Sequence, residues 1–76
     1  MPDVATVTLN SEALWSAADT ERRRRRMTRR AVCAELGVSP ASYCSWSYGY
    51  GMSGDAIARI VRWLDIDVRD FIKEAA

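Results

Sequence analysis

The segment Leu-Gly-Val-Ser-Pro at positions 36–40 constrains this fold most, because it ends one helix and starts another within a single tight turn. Gly37 suits the left-handed position after a helix, since a residue without a Cβ adopts positive φ at little cost. Ser39 suits the N-cap of a new helix, and Pro40 suits its first position, where the missing N–H costs nothing. The segment therefore predicts two helices joined by very few residues.

Helical signals lie on both sides of this turn. Thr28 is a good N-cap for a helix over about 29–36. A second helix is predicted over about 40–47, with Tyr43 and Trp46 facing inward as an i, i+3 pair. Two short helices joined by a tight turn form a helix-turn-helix, whose second helix can enter the major groove of DNA.

The rest of the chain predicts three more helices. A first helix is expected from about Ser11 to about Arg26, a fourth ends at Leu64 after a cap at Ser53, and a short fifth contains Phe71 and Ile72. Residues 1–10 alternate weakly and predict a mobile arm or a short strand. The expected fold is therefore all-α, a compact five-helix domain over residues 11–76 with an N-terminal arm or strand.

Length and composition narrow the possible functions. The chain has 76 residues, enough for one small domain, and its 49% hydrophobic content argues against disorder. It contains no histidine, no phosphate-binding glycine loop and no apolar run near the roughly 18 residues of a membrane span. We therefore expect no enzyme activity, metal, cofactor or small-molecule ligand, and a cytoplasmic location. Cys33 and Cys44 are expected to be small, inert thiols, since free cysteine is usually buried.

Positive charge is concentrated in the middle of the chain. The net charge of +1 combines −4 over residues 1–21, +6 over residues 22–52 and −1 over residues 53–76. The central excess is all arginine, which favours bidentate contacts to phosphate and predicts a polyanionic partner. A run of five arginines at 22–26 is also compatible with an ordinary solvated helix face. Arg29 and Arg30 oppose the dipole of the second predicted helix, and a bound phosphate would remove that conflict.

The order of these motifs resembles the lambda-repressor-like family of Cro/C1 or Xre type over about residues 11–74. Met27 and Thr28 match the start of the family's second helix, and residues 36–39 match its Leu-Gly-Val-Ser turn. Cys33 stands where the family commonly has alanine. Ser47 stands where it commonly has a glutamate paired with the position of Arg22, so that pair is not expected here.

The resemblance implies a DNA-contacting surface. Its base-contacting positions are matched by Pro40, Ala41, Ser42 and Ser45. Its phosphate-contacting positions are matched by Arg29, Tyr48 and Tyr50. The unpaired N–H groups and positive dipole at the N-terminus of the second predicted helix add Thr28 and Arg30 to the expected phosphate contacts. Long base readers are missing from the second helix of the motif, so the two serines, arginines from elsewhere and DNA shape would have to provide specificity.

These features predict a sequence-specific DNA-binding transcriptional regulator, a small repressor of phage, prophage or bacterial origin. One helix-turn-helix reads about half a site, so a homodimer on a two-fold operator is expected. The alternating edge of Ala5, Val7 and Leu9 and the apolar end at Phe71 and Ile72 are the expected dimer contacts, with the C-terminal end favoured. The alternative is a protein-interaction module, such as an antitoxin or adaptor built on the same fold.

Overall fold

A computed structural model of the chain describes residues 7–74. Four α-helices follow one another: α1 (Ser11–Arg24), α2 (Arg29–Leu36), α3 (Pro40–Ser47) and α4 (Gly54–Leu64). Strand β1 (Val7–Leu9) precedes them, and a 3-10 turn (Val68–Phe71) leads into strand β2 (Ile72–Glu74) after them. Among the helices of this described part, none is long and apolar enough to cross a membrane.

The expectation of an all-α domain with five helices is wrong. Between α4 and Glu74, the last described residue, the helical structure is limited to the four-residue 3-10 turn, and Ile72 is already extended in β2. The two strands form an antiparallel sheet in which Leu9 pairs with Ile72 and Val7 with Glu74. A helix of a few residues is marginal by itself, so backbone pairing with β1 outweighs the helical signals after Asp67.

The sheet also changes the interpretation of the two apolar ends. The N–H of Asn10 donates to the carbonyl of Phe71 at 2.7 Å, and Leu9 and Phe71 both pack against the core. Val7 and Ile72 remain 49% and 40% exposed. Features expected to contact a second copy therefore contact each other within one chain; Ala5 lies outside the described residues.

Helix α1 ends two residues before its predicted end. Arg26 adopts a left-handed φ of 58°, and the N–H groups of Arg26 and Met27 donate to the carbonyls of Arg23 and Arg22, both at 3.0 Å. This bond pattern is the Schellman motif, which usually contains glycine at the left-handed position. The end of α1 is hard to predict from the sequence, because arginine is a good helix former and no glycine marks the left-handed position.

One hydrophobic core is formed where the four helices meet. Tyr43 and Trp46 are buried, as their spacing predicts, and belong to the same core cluster as residues from the other three helices. The remaining buried apolar side chains are Leu14, Ala18, Val32, Cys33, Leu36, Ala56 and Ile60. The core thus holds α2 and α3 in a fixed relation to α1 and α4.

Candidate nucleic-acid interface

Each local signal at the α2–α3 turn has the expected backbone role. The Thr28 hydroxyl accepts from the N–H of Ala31 at 3.0 Å, and the Ser39 hydroxyl accepts from the N–H of Ser42 at 3.1 Å. Gly37 has a left-handed φ of 70° between the two helices. The bounds of α2 and α3 agree with the predicted 29–36 and 40–47.

A buried carboxylate, Asp19 of α1, fixes the orientation of α3. The Tyr43 hydroxyl donates to Asp19 Oδ1 at 3.0 Å, and both residues are buried. Arg22 donates from Nε to the same oxygen at 2.8 Å and from Nη1 to the carbonyl of Met27 at 2.8 Å. This Asp19 cluster, consisting of Asp19, Arg22 and Tyr43, ties α1 both to α3 and to the loop before α2.

The protonation states of the Asp19 cluster follow from these contacts. Burial by itself raises the pKa of Asp19, but the hydrogen bonds from Arg22 and Tyr43 outweigh it and hold that pKa below its ordinary value. Burial and the bond to Asp19 raise the pKa of Tyr43. The carboxylate therefore stays charged and the phenol stays a hydrogen-bond donor over the physiological range.

The role of Asp19 was not among the predictions made from the sequence. The family resemblance indicated that the glutamate partner of Arg22 is absent, and the structure supplies Asp19 in its place. The available signal was helical spacing: Asp19 follows the core residue Ala18 directly and lies three residues before Arg22. This spacing puts a carboxylate at the edge of the buried face and within reach of an arginine one turn away.

Most of the basic run is paired within α1. The four arginines from 22 to 25 each form an ion pair with a carboxylate of α1: Arg22 and Arg23 with Asp19, and Arg24 and Arg25 with Glu21. The bonds from Arg24 and Arg25 lower the pKa of Glu21 to about 2. The two carboxylates therefore offset two of the five positive charges of the run.

The two arginines of the α2 first turn have different surroundings. Arg29 lies 3.9 Å from Asp19 through its Nε, and its guanidinium is 5.7 Å from the centre of the Trp15 ring. Arg30 is exposed and has no ion pair within residues 7–74. Asp19 thus offsets part of the unfavourable charge of Arg29, whereas Arg30 keeps its charge at the surface.

Helix α3 presents a small, uncharged surface. Pro40, Ala41 and Cys44 are exposed, and Ser42 and Ser45 are half-buried. The exposure of Cys44 corrects the expectation that both thiols are buried; only Cys33 is. The Ser45 hydroxyl donates to the carbonyl of Ala41 at 3.0 Å.

The remaining two predicted contacts lie in the segment after α3. Tyr48 is 78% exposed and Tyr50 is 68% exposed, on either side of Gly49, whose φ is 92°. Packing in the core accounts for Tyr43, which is buried, but it does not account for these two exposed tyrosines.

Comparison with known proteins gives no assignment: no family model, curated protein or solved structure matches the chain.

Proposed function

We propose that this protein is a sequence-specific DNA-binding regulator that inserts α3 into the major groove. The main support is the surface of α3, whose core-facing side is held by Tyr43 and Trp46 while its other side presents small, uncharged groups. An α-helix with its side chains is about 10–12 Å across, which fits a major groove about 12 Å wide. Small side chains allow such a helix to approach base edges closely.

The first turn of α2 provides phosphate contacts in this proposal. Arg30 is exposed and offers a guanidinium for bidentate bonding to phosphate oxygens. The Thr28 hydroxyl already accepts from Ala31, so its proton is available for donation. Arg29 contributes while remaining oriented by Asp19 and Trp15. In the proposed complex, the Tyr48 and Tyr50 hydroxyl groups donate to phosphate oxygens of the DNA backbone, next to the C-terminal end of α3.

The proposed biological role is that of a small repressor of a phage, prophage or bacterium, working beside the chromosome in the cytoplasm. A homodimer on a two-fold operator stays part of the proposal, with recognition helices about 34 Å apart. Its contact surface has to differ from the expected C-terminal helix, because residues 72–74 form a strand that pairs within the chain.

Selection of duplexes from a random library tests this function, with a scrambled duplex as the control. Enrichment of an inverted repeat would support sequence-specific binding by a dimer, and enrichment of an asymmetric site would support a monomer. Sedimentation of the chain with and without the selected duplex then gives the stoichiometry. If no duplex is enriched and none binds in a salt-dependent way, DNA binding is wrong, and the protein-interaction alternative takes its place.

A further inference from the structure

We propose that the exposed face of α3 recognises A·T base pairs, through the C5 methyl group of thymine and the N6 amino group of adenine. This inference rests on the proposed DNA binding and adds the class of base pair that is read. It depends on three residues that share one side of α3: Ala41, Cys44 and Ser45, called the reading face below.

Helical geometry and burial define the reading face. Ala41 is followed at i+3 by Cys44 and at i+4 by Ser45, so the three residues are neighbours on one side of the helix. Tyr43 and Trp46, which are 1% and 6% exposed, lie on the opposite side against the core. Ser42 is one residue from Ala41 and four from Trp46, which places it at the flank. The family resemblance did not include Cys44 among the base-contacting positions.

The exposed part of the reading face is apolar. Ala41 contributes a methyl group, and Cys44 contributes a thiol that behaves as a small hydrophobe. On the major-groove edges of the four base pairs, the thymine C5 methyl is the apolar group. Contact between this methyl and the reading face removes apolar surface from water on both sides.

Ser45 adds a polar match to the same base pair. Its hydroxyl proton is donated to the carbonyl of Ala41 at 3.0 Å, which leaves the oxygen lone pairs for a donor on DNA. In the major groove, adenine N6 and cytosine N4 are the donors, and of their two base pairs A·T also carries the methyl group. An A·T pair therefore satisfies both features of the reading face.

The reading face is poorly suited to guanine. The major-groove edge of guanine presents two acceptors, O6 and N7, which arginine or lysine usually contacts. Helix α3 has no charged residue, the Ser45 proton is already used, and a thiol is a weak donor. Ser42 accepts a hydrogen bond from the Ser39 hydroxyl at 2.9 Å, which places its oxygen beside the start of the helix and away from the reading face.

Replacement of thymine by deoxyuridine tests the inference directly, because it removes the C5 methyl and preserves base pairing. The probe is a duplex enriched from the random library by the full chain, synthesised with single deoxyuridine replacements along the site. We expect replacement at each contacted thymine to weaken binding about fourfold, the effect of burying one methyl group, and replacement elsewhere to have no effect.

Two variants and one chemical probe connect this effect to the reading face. Cys44→Ser makes the face more polar and should reduce the penalty for deoxyuridine. The matched control Ala58→Ser adds a hydroxyl to the exposed side of α4, away from the reading face, and should leave the penalty unchanged. N-ethylmaleimide should alkylate Cys44 in the free chain and react much more slowly in the complex. The buried Cys33 is the internal control for loss of structure.

The outcomes separate this inference from the proposed function. A deoxyuridine penalty that Cys44→Ser reduces, together with protection of Cys44, supports the reading face. Salt-dependent binding with equal affinity for all deoxyuridine duplexes overturns the inference and leaves DNA binding intact. Unchanged alkylation of Cys44 in the complex overturns it in the same way. Absence of binding to every duplex overturns both.

Discussion

The two groups of arginines in this protein differ in what surrounds them, although only two residues separate them along the chain. Four arginines of the run at 22–26 pair with Asp19 or Glu21, which lie one turn earlier on the same helix. Arg29 and Arg30 begin a new helix with no acidic residue in its first turn. Pairing therefore lowers the charge of the longer run from +5 to about +3, whereas Arg30 keeps its full charge at a helix N-terminus, which makes the shorter pair the better candidate for phosphate binding.

Helix direction explains this difference. Arg22, Arg23 and Arg24 lie in the last turn of α1, where the helix dipole favours positive charge and acidic residues lie at i−3 and i−4. Arg30 lies in the first turn of α2, where the dipole disfavours it and favours a bound anion. The number of arginines in a segment is therefore a poorer guide to ligand binding than their position on a helix.

The largest expected effect is the loss of the carboxylate that the run surrounds. Asp19→Ala should lower the free energy of unfolding by about 3 kcal/mol, because it leaves Arg22 and the buried Tyr43 hydroxyl without their partner. Urea denaturation provides the measurement. Glu21→Ala removes a more exposed carboxylate that pairs with Arg24 and Arg25 and should have little effect; equal losses for the two variants would contradict the structural role of Asp19.

The second largest expected effect is a loss of DNA affinity, which should differ between the two groups of arginines. Arg30→Ala should weaken binding to all duplexes and lower the slope of log affinity against log salt by about one unit, through loss of one phosphate contact. Arg24→Ala is the matched control, since Arg24 is exposed but paired with Glu21 at 2.6 Å, and should change the slope much less. If Arg24→Ala lowers the slope as much as Arg30→Ala does, the distinction between the groups is wrong.

Acid should weaken the domain through the paired carboxylates. The folded-state pKa of Asp19 is below its ordinary value of 3.8, so its contribution to stability is present above that value and is lost as the pH falls through the folded pKa. Glu21 acts in the same direction, between 4.5 and about 2. Urea denaturation over this range should show a shallower decline for Asp19→Asn. An identical decline in both proteins would show that Asp19 is not responsible.

The smallest expected effect concerns the arginine of the run that also contacts the core. The Arg25 guanidinium lies over the Trp63 ring at 4.5 Å, so Arg25→Ala should lower the free energy of unfolding by about 0.5 kcal/mol. Tryptophan fluorescence during denaturation measures the change. Arg24→Ala, which preserves the Trp63 contact, should give a smaller loss; the reverse order would contradict this assignment.

Local signals account for most of the helices. The caps at Asn10, Thr28, Ser39 and Ser53 are all present, with each side chain accepting from a backbone N–H three residues later. Such caps are read correctly because they depend on short-range geometry. The prediction of a fifth helix was wrong because it depended on long-range pairing. Asp67 does cap the 3-10 turn, but residues 72–74 then pair with β1 from the other end of the chain and become extended.

In the candidate site, too, some features were predictable from the sequence and others depend on the packing of the helices. The spacing of Tyr43 and Trp46 indicated which side of α3 is buried, and this is confirmed. The ion pairs of the run follow helical spacing within α1, whereas the contact between Tyr43 and Asp19 and the exposure of Cys44 depend on how the helices pack. The hydrogen bond between Tyr43 and Asp19 joins residues 24 positions apart, a separation that helical periodicity does not reach.

The sequence by itself determined where α2 and α3 begin and end, because a serine or threonine cap, a glycine and a proline restrict the backbone locally. Tertiary structure decided that Asp19 also meets Arg29 and Tyr43, since these residues approach it only when α1 packs against α2 and α3. It also decided that the two ends of the described chain form a sheet, because strand pairing requires residues 7–9 and 72–74 to be brought together by the helices between them.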